Sequence, residues 1–319
     1  MSTVPPISKD ARIFISGIAG LVGQNLALRL SRAGYTNICG NDKHITNLEI
    51  LNRTQPNIET QCVDAAQKGS WMEMVKGADI VIINQAQIGG LDYDEFVRNN
   101  VTATQNILEA IDHEKNPYVV QISSSVVNSE ADDFYTRSKI EQEELVKKVG
   151  INGVILRPTL MFGWFDRKHL GWLRRFMAKT PVFPIPGNGR YRRQPLYVGD
   201  FCNVIISCVE NQIKDEIYDI SGREVIDYID LIRTIKKVTG EKTPIVKIPY
   251  WFFFTLIWIV GRVTKNPPFT VHQLRALIIP EVFDIIDWPA IFGVKQTSFA
   301  QAVDETYNHE TYSKIVLDF

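Results

Sequence analysis

In the stretch "SSSVVNSEADDFYTRSK", residues 123–139, three serines precede a tyrosine and a lysine set four positions apart. That spacing puts Tyr135 and Lys139 on one face of a helix, where an ammonium can hold a phenol below its ordinary pKa of about 10. A phenol so held can exchange a proton with a substrate hydroxyl, which is general acid–base chemistry. On a solvated helix the same pair would be an ordinary surface contact, so the surrounding elements decide between the two.

A second group of residues is suited to holding a ligand. "FISGIAGLVGQNL" spaces Gly17, Gly20 and Gly23 as GxxGxxG between a predicted strand and a predicted helix. The turn needs unusual backbone angles, a pyrophosphate must come close to the main chain, and the helix start offers unpaired N–H groups and a positive dipole. Asp42 follows 19 residues after Gly23, at the end of the second predicted strand. A carboxylate there accepts the adenosine ribose hydroxyls and repels a 2′-phosphate, which favours NAD over NADP, although Lys43 and His44 partly offset the repulsion. Asp64, closing the third strand, is placed to accept from the adenine amino group.

The elements that must position these residues alternate. β-Branched runs at 12–16, 37–42, 58–64, 79–84, 118–123 and 153–158 are separated by helical patterns at 21–34, 45–54, 67–76, 92–113 and 134–149. Such alternation predicts an α/β, Rossmann-like, doubly wound parallel sheet. After "LRP" (156–158) the chain turns rich in aromatics, Arg, Pro and Gly, a composition that suits loops over a ligand. We therefore expect a dinucleotide-binding domain over 1–160, joined by 196–222, and a smaller C-terminal substrate-binding lobe from 161–195 and 223–319.

Composition narrows the function classes. Lys plus Arg number 35 against 36 for Asp plus Glu, so no basic field gathers nucleic acid. Cys39, Cys62, Cys202 and Cys208 lack the spacing of a zinc site or a disulfide framework, and no metal is expected. "MSTVPPISKD" has no basic region leading into an apolar one, so the reading is a cytoplasmic protein without a signal peptide. The apolar run "YWFFFTLIWIV" has 11 residues where a bilayer span needs about 20. It is expected to be a buried helix opened by Pro249 and closed near Gly261, with contact to a membrane surface as the other reading.

Taken in order, "SGIAGLVG", Asp64, "NVTATQNILEA" (100–110), "SSS", "YTRSK", "LRP" and "RRQPLYVGD" (192–200) resemble the extended short-chain dehydrogenase/reductase superfamily, in its branch of NAD-dependent sugar-nucleotide epimerases and dehydratases. The resemblance covers most of residues 12–222. It implies that Tyr135 is the acid–base, that Lys139 also holds the nicotinamide ribose, and that Ser125, with Ser124 as second choice, hydrogen-bonds the substrate oxygen. By strand alternation Ser123 points into the fold. Pro158 would shape the floor beside the nicotinamide, Asn100 would be structural, and Arg193 would pair with a substrate diphosphate. Arg190, Arg192, Arg167 and Lys168 would extend that cationic patch. Relatives of this kind commonly form homodimers through the helices at 92–113 and 134–149.

Two departures bear on the reaction. Only nine residues separate Ser125 from Tyr135, and "NQAQIGG" (84–90) replaces the usual His-x-Ala-Ala. Val126 and Val127 stand where dehydratases carry Asp-Glu, which disfavours dehydration. The expected activity is C4 epimerisation or 4-keto reduction of a nucleotide-diphosphate sugar. A non-catalytic NAD(H)-binding subunit of a larger assembly, or a dehydrogenase of a sterol-like or lipid alcohol with Trp164, Phe165 and Trp172 lining its pocket, stay open.

Overall fold

Short runs of apolar residues build the centre of the molecule. "IFIS", "IVII" and "YVVQI" are buried along their whole length, as strands covered on both faces must be. The computed structural model describes residues 7–130, 132–264 and 270–318. In chain order the first part is β1 (Ile13–Ser16), α1 (Leu21–Arg32), β2 (Ile38–Asp42), α2 (Ile45–Thr54), β3 (Glu59–Cys62), α3 (Met72–Lys76), β4 (Ile80–Ile83), α4 (Tyr93–Phe96), a π turn (Val97–Thr102), α5 (Ala103–Ala110), β5 (Tyr118–Ile122), α6 (Phe134–Val149) and β6 (Gly153–Pro158). There follow β7 (Met161–Phe162), α7 (His169–Lys179), β8 (Phe183–Pro186), β9 (Arg192–Arg193), β10 (Leu196–Tyr197), α8 (Val198–Asn211) and β11 (Glu216–Ile220). The chain closes with β12 (Ile226–Asp227), α9 (Tyr228–Thr239), β13 (Ile245–Ile248), α10 (Tyr250–Val263), α11 (Val271–Ile278), α12 (Trp288–Phe292) and α13 (Phe299–Asn308).

Seven strands form one parallel sheet in the order β11-β6-β5-β4-β1-β2-β3. The order reverses between β1 and β4, and a doubly wound sheet opens its ligand crevice at the C-terminal ends of the strands at that point. On one face Leu26 and Leu30 of α1 join Phe201, Val204 and Ile205 of α8. On the other, Trp71, Met74, Ile107 and Val146 cover Phe14, Val81 and Val119. The fold class read from the alternation is the one observed.

Several details differ from the expectations. The segment 92–113 is interrupted by the π turn, because side-chain tethers described below hold its middle. The predicted strand at 196–197 pairs with Met161–Phe162, outside the main sheet, whereas Glu216–Ile220 joins that sheet beside β6. Trp164 and Phe165 are buried against Leu317 and pack on Tyr312 near the C-terminus. The aromatic run is helical but is not a buried helix. In α10 only Phe253 and Ile257 are buried, and Trp251 is 70% exposed.

Candidate active site

The glycine turn comes first along the chain. Gly17 adopts φ +61°, and a Cβ there would lie 2.8 Å from the Cα of Gln85. At Gly23 a Cβ would meet the carbonyl oxygens of Gly17 and Ile18 at 2.4 and 2.5 Å, so α1 can pack this tightly on the turn only without a side chain. Gly20 caps α1, no side chain caps its first N–H groups, and the first turn holds no acidic residue. The helix start thus keeps its dipole and uncapped N–H groups, which suits an anion.

The end of β2 closes around this turn. Asp42, nearly buried, accepts from the backbone N–H of Ala19 at 3.1 Å and of His44 at 3.0 Å. Burial pushes its carboxyl pKa up, and these N–H groups oppose the rise. Asp64 accepts from Arg98 at 2.5 Å and from the N–H of Ala66 at 2.9 Å.

β5 ends at Ile122, and the three serines diverge from there. Ser123 is buried, with a hydroxyl that has no partner among the described residues. Ser124, still extended, accepts from the backbone N–H of Val126 at 3.4 Å, and its hydroxyl opposes the burial that raises the Tyr135 pKa. Ser125 begins a single 3-10 turn running to Asn128. The extended backbone thus stops at Ser124, and both serines stay candidates for the substrate oxygen.

Asp133 caps α6 by accepting from the N–H of Thr136 at 2.8 Å, so the helix starts just before Tyr135 and Lys139. Lys139 is 1% exposed. Its ammonium donates to the Ile122 carbonyl at 2.9 Å and to Gln142 Oε1 at 2.5 Å. Burial brings its pKa down to about 7, with Glu143 opposing. Burial raises the Tyr135 pKa, and the Ser124 hydroxyl opposes this. The Lys139 ammonium is itself held by the strand carbonyl and an amide.

A polar chain that the sequence did not reveal ties this pair to the glycine turn. From Lys139 it passes to Gln142, whose amide donates to Thr104 Oγ1 at 2.7 Å, and Thr104 also accepts from Gln85 Nε2 at 2.9 Å. Gln85 in turn bonds Ser16 at the end of β1. A parallel tether runs through Asn100, which is fully buried in the π turn. It accepts from the N–H of Gln87 at 2.7 Å and donates to Ser138 Oγ at 2.8 Å, between the two catalytic candidates on α6. Thus the unusual "NQAQ" segment supplies amides that brace the site.

β6 is fastened to the same helix. Glu143, 3% exposed, takes two bonds from Arg157, from Nε at 2.8 Å and from Nη2 at 2.9 Å. This bridge fixes the end of β6, where Pro158 is buried.

Residues 13–221 match the sequence profile described as the NAD dependent epimerase/dehydratase family. The chain belongs to this family. As a family protein of the extended short-chain dehydrogenase/reductase type, it takes NAD as its cofactor. It is 23% identical over 273 residues to the NADH dehydrogenase [ubiquinone] 1 alpha subcomplex subunit 9 of Dictyostelium discoideum, covering 82% of this chain and 73% of that one. It is 22% identical to the UDP-N-acetyl-alpha-D-glucosaminuronate decarboxylase of Bacillus cytotoxicus, over 75% of this chain and 84% of that one. Its fold superimposes on the UDP-glucuronic acid 4-epimerase of Bacillus cereus, solved with NAD, with a TM-score of 0.70 at 21% identity, covering 93% and 97% of the two chains.

The residues of this family protein fit the dinucleotide. The glycine turn packs α1 tightly on the end of β1, with an uncapped helix start that would receive a pyrophosphate, and Asp42 stands at the strand end expected to meet the ribose. Asp64 and Arg98 would meet the adenine as a pair. The Arg193 guanidinium donates to the carbonyls of Ile279 at 2.7 Å and Arg192 at 2.8 Å, and also to that of Leu277 at the end of α11. Its Nε lies 3.8 Å from a Glu281 carboxylate oxygen, so in this arrangement the fork ties β9 to the segment after α11. Arg190 and Arg192, in the same segment, are exposed.

Among the described residues no group of His, Cys, Asp or Glu could hold a metal ion, and the four cysteines are free. No helix among them is long and apolar enough to cross a membrane.

Proposed function

We propose that the protein is an NAD-dependent C4 epimerase or 4-keto reductase of a nucleotide-diphosphate sugar. Residues 1–160 with 196–222 would hold the cofactor, and 161–195 with 223–319 the sugar nucleotide. The observation that carries this reading is the buried Lys139, one helical turn from Tyr135 and wired through Gln142, Thr104 and Gln85 to the end of β1 beside the glycine turn.

NAD would supply the hydride acceptor at the substrate carbon for epimerisation, and NADH the hydride donor for reduction. Tyr135 exchanges the proton of the hydroxyl on that carbon, and Ser124 orients both oxygens. Lys139, one turn along the same helix, is the cation that would face the nicotinamide ribose. Its lowered pKa means that it is only partly charged near neutral pH, and a ribose hydroxyl accepting from it would favour the charged form. For epimerisation the sugar presents its other face before the hydride returns. For reduction the ketone arrives as substrate.

The test is a thermal-shift screen of NAD and a panel of UDP-, GDP- and dTDP-sugars, followed by turnover with each binder, since a ligand of the native state raises its apparent stability. Stabilisation by NAD together with a nucleotide sugar, and its conversion, is the expected result. A second reading, a non-catalytic NAD(H)-binding subunit, is favoured by the likeness to the Dictyostelium NADH dehydrogenase subunit. NAD binding without conversion of any sugar would select it.

A further inference from the structure

α10 forms a hairpin with α11, and the two bury Phe253, Ile257 and Leu274 in a small cluster of their own. The hairpin therefore satisfies its inner side without the rest of the α10 surface. On its outer side Trp251, Phe252, Leu256, Trp258, Ile259 and Val263 are each 45–79% exposed. A contiguous apolar face of this size marks an interaction site.

The surrounding charge says what kind. Lys plus Arg and Asp plus Glu balance over the whole chain, yet no Asp or Glu occurs between Glu241 and Glu281. Within that stretch Lys247, Arg262 and Arg275 are exposed and form no ion pair with the described residues. The Arg262 guanidinium lies 4.7 Å from the Trp258 ring centre and that of Arg275 5.6 Å from Phe254. Indoles beside cations, with no anion nearby, match the boundary between acyl chains and charged headgroups.

We propose that the outer face of α10 docks this protein on a lipid bilayer bearing anionic headgroups. At 14 residues the helix is about 21 Å long, short of the ~30 Å hydrocarbon core, so it lies in the interface plane. A second copy of this chain is the poorer occupant, because a symmetric contact would set Lys247, Arg262 and Arg275 against the same cations of its mate. This inference is independent of the proposed reaction.

Co-sedimentation of the full chain with vesicles of mixed phosphatidylcholine and phosphatidylglycerol, against pure phosphatidylcholine, tests it. We expect at least about tenfold tighter binding to the mixed vesicles, weakened by salt. The triple variant Trp251→Ser, Phe252→Ser, Trp258→Ser should lose binding while keeping the wild-type unfolding temperature. Should that variant misfold, Arg262→Glu with Arg275→Glu is expected to remove the preference for anionic vesicles. Brominated acyl chains should quench the wild-type tryptophan fluorescence. The proposal is overturned if the wild type stays in solution with both vesicle types. It is equally overturned if the wild type binds no vesicles and is a dimer that the triple variant converts to monomer.

Discussion

The Lys139 ammonium sits 2.9 Å from the carbonyl oxygen of Ile122, the last residue of the strand that carries the active-site serines. A charged group held in the interior by one carbonyl and one amide is poorly compensated, and its pKa falls to about 7 from 10.5. Between those two values the unfolded chain binds more protons than the folded one, so this residue makes stability rise with pH across the window. The slope it contributes is at most about 1.4 kcal/mol per pH unit. The penalty is fully present below the lower value and gone above the upper. Urea unfolding of wild type and Lys139→Met across this range should show a flatter profile in the variant, with equal slopes refuting the assignment. Leaving Gln142 without its partner lowers stability at every pH and does not alter that comparison.

Tyr135→Phe should reduce kcat by about 10²- to 10⁴-fold, because it removes the proton exchanged with the substrate oxygen. NAD affinity should stay within about twofold, since the hydroxyl acts in the transition state. Of the two serines, Ser124→Ala should cost more in kcat than Ser125→Ala, because the extended backbone ends at Ser124, whose hydroxyl opposes the burial that raises the Tyr135 pKa. The reverse order in steady-state kinetics would return the role to Ser125.

Glu143→Ala leaves the Arg157 guanidinium facing a largely buried site without its two-point carboxylate partner. Breaking a buried pair costs about 3–5 kcal/mol, and Asp219, 3.8 Å from the same guanidinium, should keep the loss near the lower limit. Glu143→Gln keeps an acceptor and should lose less. Equilibrium denaturation of the two variants checks the order.

Gly23→Ala forces a methyl into two backbone carbonyls, neither of which is the movable end of a side chain. We expect a stability loss of about 1–3 kcal/mol and at least tenfold weaker NAD binding by calorimetry, since the helix must back away from the turn that receives the pyrophosphate. Gly20→Ala is the milder companion, its nearest contact being 3.3 Å. Equal losses for the two variants would argue against this packing.

What could be read beforehand depended on local pattern. The alternation of β-branched runs and helices gave the sheet because strand burial and helix periodicity are written in consecutive residues. The glycine turn followed for the same reason. Arg193 was legible as a cation but not in its use, since the carbonyls it bonds are 84 and 86 residues away. Likewise Gln85, Thr104 and Gln142 are ordinary amides and a hydroxyl until three elements bring them into one chain. In α10 the sequence is apolar all round the helix, so nothing in it distinguishes a buried side from an exposed one. That Ser125 leaves the strand while Ser124 stays extended depends on where the strand stops, the least legible property of any element.

The π turn at Val97–Thr102 has a consequence for which changes this chain can accept. It holds one residue more than a regular helix would place in the same length, and Asn100 lies inside it. Deleting any single residue there would let the backbone relax to an ordinary α-helix of the same length, with Tyr93, Phe96 and Thr104 kept in register. The widened turn that carries Asn100 to Gln87 and Ser138 would be lost with it. Substitutions along this segment are therefore graded in their effects, whereas a change of length by one residue would separate the loop after β4 from the catalytic helix in a single step.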